Sequence, residues 1–185
     1  MCWPRYLGSN SDLDHPGYNN AYQINARTDL AITYNDIAPL ENHHCSMIFY
    51  ILTDDSCNIL FQLSKDERKD IRRLIIRCIL STDMAKHGEI VSQFKNIADT
   101  FSFADASHSE LLLAMVVKCA DISTEVRPPH IAERWVDCLL EEFFSQSDRE
   151  KLDGLPTMPF MDRDKVTKPA AQIGCLLHNL DSCSL

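Results

Sequence analysis

Apolar residues recur at helical spacing through most of this chain, and only five glycines interrupt its 185 residues. A backbone with so few residues free to take positive φ makes few tight hairpins, so the pattern points to an all-α architecture. The segment LLLAMVVKCADIS, 111–123, is the extreme case. It is apolar nearly all round and broken only by Lys118, which marks a buried central helix whose end carries Asp121 into or near the interior. With 45% hydrophobic and 24% charged residues, the chain has the balance of one globular domain with a real core.

Stop and start signals divide the rest. AYQINARTDLAITYND, 21–36, has helical periodicity, and PLENHHCSMIFYILT, 39–53, opens with Pro39 where a helix tolerates proline best; a turn around Asn35 and Asp36 joins them. Ser64 and Glu67 have the spacing of a capping box, followed by a long helix through Ile97 with a kink expected near Gly88. Ser107 and Glu110 repeat that spacing before the central helix. Pro128 and Pro129 open a helix over 130–151 that Gly154 and Pro156 close. The three prolines in 155–170 make that segment a loop, and a last short helix is expected near Ala170.

Several function classes are excluded. A net charge of −9 without a basic stripe excludes nucleic acid as a partner. The eight cysteines lie scattered without one CxxC pair, which argues against a thiolate zinc site and for a reduced, cytoplasmic protein. The opening residues lack the pattern of a signal peptide, and no later run approaches the length of a membrane span.

Four groups of residues could carry chemistry, each with a plainer alternative. Asp12, Asp14 and His15 in DLDHPGYNN are metal-type donors, or a solvated turn capped by Asp side chains. Asp121 is a metal ligand, or a helix-terminal Asp exposed to water or paired with Arg127. His43, His44, Thr82, Asp83 and His87 either surround a site or are hydrogen-bonded core groups. Gln172 either reads a purine edge through an amide that donates and accepts, or caps a helix.

Taken in order, DLDHPGYNN, INARTDLAITYND, PLENHHC, STDMAKHGEI, KCADIS, WVDCLLEEFFSQSDREK, PFMDRDKVTK and AQIG resemble the catalytic domain of class I cyclic nucleotide phosphodiesterases, most closely the cGMP-specific type-nine branch. The resemblance implies an all-α, HD-like multi-helix bundle, incomplete here, with 1–10 as a non-matching leader, 11–175 as a partial catalytic domain and 176–185 as a divergent tail. It implies hydrolysis of a 3′,5′-cyclic nucleotide, cGMP preferred, at a site holding zinc and magnesium. Asp12 matches the aspartate bridging both metals and Asp121 the second zinc aspartate. His15, Glu41, His43, Thr82 and Asp83 match positions around the metals and their waters. The nucleotide is expected to meet Asp12, Asp121, Leu139, Phe143, Phe160, Ala171 and Gln172, with Phe143 standing where the branch mostly has tyrosine.

The departures from the family pattern shape the expectation for this chain. Ser11 stands where the family has a zinc-binding histidine, and the residues before it hold no match for the family's general-acid histidine, so no catalytic acid is assigned. Cys175 replaces the aromatic that stacks on the base. The chain therefore reads as truncated at both ends, with doubtful metal occupancy and no turnover alone. The alternative is a non-catalytic short isoform that binds cGMP weakly or pairs with a full-length partner; a homo-oligomer is left open.

Overall fold

The computed structural model describes residues 12–123 and 127–170, and every regular element among them is helical. In chain order the helices are α1 (Asn20–Asn25), α2 (Asp29–Thr33), α3 (Pro39–Ile51), α4 (Lys65–Leu80), α5 (His87–Ile97), α6 (Ala106–Asp121) and α7 (Pro129–Asp153). The all-α expectation holds, and no described helix is long and apolar enough to cross a membrane. The described residues divide into two units, one formed by 12–15 with 40–121, the other by 16–39 with 122–123 and 127–170.

In the unit of α3 to α6, the central helix α6 packs against α4 and α5. Its core joins Cys45, Ile75, Cys78, Ile79 and Val117, with Ile48, Phe49, Ile71 and Leu113 packed around them. Burial pushes the Cys45 and Cys78 thiols up to about 11, so both stay protonated and behave as small hydrophobes.

The capping box at the start of α4 forms as its spacing predicts. Glu67 N donates to Ser64 Oγ at 3.3 Å, and Ser64 N donates to Glu67 Oε2 at 2.9 Å. The expected kink near Gly88 does not form; the chain breaks at Ser81–Asp83 instead. Ser81 and Thr82 turn their hydroxyls back onto the carbonyls of Cys78 and Ile79, and Asp83 leaves helical geometry to cap a 3₁₀ turn, Met84–Lys86, by accepting from Ala85 N at 2.9 Å. Three consecutive side chains that bond local backbone compete with the helix ladder and end it.

The second expected capping box is also replaced. Asp105 accepts from Ser107 N at 2.8 Å, while Glu110 reaches across to Arg73 and Arg77 on α4. Burial raises the Glu110 carboxyl, but the two guanidiniums outweigh it and hold the group below its usual range.

In the other unit, the helix expected over 21–36 is two short helices. Arg27 takes φ +51, and the Thr28 hydroxyl donates to Gln23 Oε1 at 2.6 Å, which separates α1 from α2. Asn35 and Asp36, at φ +54 and +63, make the expected turn. Pro129 opens α7, and Gly154 closes it at φ +66, a left-handed conformation that glycine takes without strain.

The 155–170 segment contains a 3₁₀ turn, Pro159–Met161, packed against α7, and turns helical again over 168–170. Asp162 anchors it: its side chain, 3% exposed, accepts from Lys151 Nζ at 2.7 Å, Lys165 Nζ at 3.1 Å and Asp164 N at 3.1 Å. The Lys151 bond, with help from the other two, holds the Asp162 carboxyl down at about 2, from an ordinary 3.8. A folded-state pKa below the unfolded value contributes stability above the unfolded pKa, lost as pH falls through the folded one. Asp162→Asn is therefore expected to flatten the loss of stability between pH 3.8 and about 2, read by urea denaturation at stepped pH. Identical acid profiles for the two proteins would remove Asp162 as the anchor.

Candidate functional site

The DLDH segment forms a tight turn in which His15 N donates to Asp12 O at 3.2 Å and Asp14 takes φ +61. That turn is held by two adjacent histidines of α3. His43 Nε2 lies 2.8 Å from Asp14 Oδ2, and His44 Nδ1 lies 2.7 Å from the Leu13 carbonyl. A carbonyl oxygen only accepts, so Nδ1 of His44 carries the proton and its Nε2 presents a lone pair. That Nε2 is 3.9 Å from Asp12 Oδ1, and the ring stacks on His15 at 5.8 Å between centroids. Burial lowers the His44 pKa, which favours this neutral form, although the Leu13 bond and Asp12 pull the other way.

The other predicted carboxylates lie in the same unit. Glu41 is half-buried in the first turn of α3, Asp83 is buried at the α4 break, and Asp121 ends α6. Thr82 is half-buried beside Asp83, with its hydroxyl donating to Ile79 O at 2.8 Å. Asp121 is exposed, contrary to the interior placement expected from the apolar run, because the final residues of α6, from Cys119 on, all face solvent. Asp12 is likewise open to water, its side chain 77% exposed.

His44 was grouped with His43 in the sequence, and a helix turns about 100° per residue, so only the three-dimensional packing separates the one that braces the Leu13 carbonyl from the one that pairs with Asp14. Lys118, visible in the sequence as the lone charge in an apolar run and assigned no role there, is buried and donates to the Ser81 carbonyl at 2.8 Å.

The other unit contains the three apolar residues expected at the base. Phe143 and Phe160 meet edge to face with centroids 6.1 Å apart, and Leu139 is half-buried on α7. Ser11, Ala171, Gln172 and Cys175 lie outside the described residues.

An all-helical fold carrying these motifs in this order is the pattern of one protein family. The chain belongs to the 3′5′-cyclic nucleotide phosphodiesterase family, whose profile matches residues 10–178. It is 60% identical over 163 residues to the human high affinity cGMP-specific 3′,5′-cyclic phosphodiesterase 9A, covering 88% of this chain and 28% of that protein. It is 44% identical over 163 residues to cGMP-specific 3′,5′-cGMP phosphodiesterase 3 of Dictyostelium discoideum, at 88% and 35% coverage. The chain thus spans about a third or less of the length of these relatives. Among solved structures, the phosphodiesterase domain of the Salpingoeca rosetta rhodopsin phosphodiesterase superposes with a TM-score of 0.81 at 36% identity, over 86% of this chain and 50% of that one. LmjPDEB1, solved in complex with IBMX, gives 0.87 at 28% identity, over 98% and 59%.

The donor set can be tested against the metals such a family implies. No group of three His, Cys, Asp or Glu side chains among the described residues is arranged to hold a metal ion. Zinc takes three or four protein ligands, so the described donors do not fit it. Magnesium keeps several waters and is held through one or two carboxylates, a demand that exposed Asp12 and Asp121 match in kind.

Proposed function

We propose that residues 11–175 are part of a phosphodiesterase catalytic domain and that the protein hydrolyses 3′,5′-cyclic GMP to the 5′-monophosphate. The observation that carries this reading is the continuous family match over 10–178 together with 60% identity to a cGMP-specific relative. Divalent ions held by Asp12 and Asp121 would neutralise phosphate charge and acidify water.

The chain's own residues prepare that site. His43 and His44 fix the DLDH turn through Asp14 and the Leu13 carbonyl, so Asp12 is presented on a braced backbone. His15, Glu41, Thr82 and Asp83 supply polar groups for the surrounding waters. For the nucleotide, Leu139, Phe143, Phe160 and Ala171 are the residues proposed to meet the base, and the Gln172 amide is proposed to read the purine edge.

Ser11 favours a second reading for the chain by itself: it binds cGMP without hydrolysing it, or pairs with a longer partner or a second copy. A serine hydroxyl is a poor zinc ligand at neutral pH, and no residue here is assigned as general acid. The cytoplasm is the proposed compartment, supported by the free thiols of Cys45, Cys57, Cys78, Cys119 and Cys138.

The test is metal content and cGMP turnover, with Mg²⁺ and Zn²⁺ supplied, for the chain as written and for a version with Ser11→His and the relatives' preceding segment added. The added version is expected to hold two metals and hydrolyse cGMP, and the chain as written to do neither. Turnover by the chain as written would overturn the role given to Ser11; an inert added version would overturn the hydrolase reading.

A further inference from the structure

Phe160 is 54% exposed, yet its ring stands at 75° to that of Phe143, and the two residues after it, Met161 and Asp162, are 1% and 2% exposed. A half-exposed aromatic is held only in part by its own burial, so the rest of the hold comes from beneath the turn Pro159–Met161. Three consecutive residues meet three places along α7: Phe160 meets Phe143, Met161 meets Gln146, and Asp162 meets Lys151. Phe143 and Gln146 are three residues apart, and Gln146 and Glu150 four, which puts all three on one face of the helix.

The middle contact is built from buried polar groups. The Gln146 amide has two N–H groups, and Asn19 Oδ1 and Glu150 Oε1 accept them at 3.0 and 2.8 Å. Asn19 N donates back to Gln146 Oε1 at 2.8 Å, and Asn19 Oδ1 also accepts from Tyr22 N at 2.9 Å. With its oxygen fixed twice, the Asn19 amide turns Nδ2 onto the Met161 sulfur, 3.9 Å away, while Gln146 Nε2 lies 3.8 Å from the same atom. The flexible thioether is thereby seated on two amides that are themselves locked.

We infer that Gln146 is a positioning residue for nucleotide binding: with Asn19 it seats Met161, sets the register of the turn on α7, and so holds Phe160 against Phe143 before a nucleotide arrives. The inference rests on reading Phe143 and Phe160 as residues that meet the base. A contact surface set in advance spares binding the entropy of ordering it, so its loss weakens binding and leaves the chemical step alone.

The experiment is NMR of the full chain with labelled phenylalanine rings, for the wild type, Gln146→Leu, Met161→Leu and Ile79→Ala. Met161→Leu keeps the volume and removes the sulfur; Ile79→Ala weakens the core of the other unit. The wild type and Ile79→Ala are expected to show magnetisation transfer between the Phe143 and Phe160 rings. Gln146→Leu and Met161→Leu are expected to lose it, with the Phe160 resonances moving toward those of an unstructured chain. In the version with Ser11→His and the relatives' preceding segment, the same two substitutions should raise the KM for cGMP about three- to tenfold at unchanged kcat, the fold-change that an edge-to-face aromatic pair is worth.

A folded Gln146→Leu that keeps the ring contact overturns the inference, because Gln146 then only stabilises. If Gln146→Leu does not fold, Met161→Leu decides, and an unchanged ring contact there has the same meaning. Loss of the contact in Ile79→Ala as well would make it a report on general stability and overturns the inference too. Rings that separate while KM stays constant show that Phe160 does not meet the base, which removes the role in binding. The ring measurement uses no nucleotide, so an inert Ser11→His version overturns the hydrolase reading, and the binding role with it, while the register of the turn is decided separately.

Discussion

Gln146→Leu is expected to destabilise the unit that contains α7 by roughly 2–3 kcal/mol, the cost of leaving buried polar groups without a hydrogen-bond partner. The Gln146 amide, 2% exposed, works in three directions. Its oxygen accepts from Asn19 N at 2.8 Å, and its nitrogen donates to Asn19 Oδ1 at 3.0 Å and to Glu150 Oε1 at 2.8 Å. Met161, buried beneath the 3₁₀ turn, brings its sulfur within 3.8 Å of the same nitrogen. Leucine fills the space but leaves the Asn19 amide and the Glu150 carboxylate without a partner. The second Glu150 oxygen has no hydrogen bond among the described residues, so this carboxylate has no other bond to fall back on.

The same reasoning sets a control. If the cost comes from the orphaned carboxylate, Gln146→Leu with Glu150→Met should be distinctly more stable than Gln146→Leu alone, a non-additivity that marks direct coupling. The measurement is urea denaturation followed by tryptophan fluorescence from Trp135, on the same helix. A loss below about 1 kcal/mol for the single variant would mean that water reaches Glu150 and the group is not truly buried. Because Asn19 caps α1 and Met161 belongs to the loop carrying Phe160, loosening this hub is also expected to blur the apolar wall.

Helix boundaries were legible in the sequence wherever a cap is written locally. Ser64 with Glu67, Pro129 and Gly154 each act within one turn of their own backbone, so the residue type announces the geometry. What escaped was set at longer range or by competition. Glu110 has capping-box spacing, but two arginines on α4 offer a better partner. The break at Ser81–Asp83 is decided by short side chains outbidding the helix ladder, while Gly88, the obvious breaker, sits at ease in the first turn of α5.

The site shows the same division. Asp12 and Asp121 stood out as candidate donors in their own segments and took specific metal roles only from the family motifs, and the apolar run ahead of Asp121 misplaced it, since hydrophobicity of a helix says nothing of its last turn. His43 and His44 are equivalent by type and differ only in which way α3 turns them. Lys118 was visible as an anomaly, yet its partner, the Ser81 carbonyl, lies far from it in sequence and beside it only in the fold.

Ile79→Ala is expected to cost about 3–4 kcal/mol and to reach the break at Ser81–Asp83 as well as the core. Ile79 is 0% exposed and sits among Cys45, Ile75, Cys78 and Val117, where α3, α4 and α6 share one core. Removing its outer carbons leaves a cavity that close-packed neighbours fill only in part. Its own carbonyl receives both the Thr82 hydroxyl and the Thr82 backbone N–H, so it fixes the break that presents Asp83. Ile79→Val keeps most of the volume and should cost about 1 kcal/mol, which separates loss of packing from loss of the isoleucine shape. Urea midpoints for both variants give the sizes; hydrogen exchange of the Thr82 and Ala85 amides gives the reach. A cavity confined to the core would lower stability and leave those amides protected, whereas a cavity that lets the end of α4 shift would separate Ser81 from Lys118 and expose them.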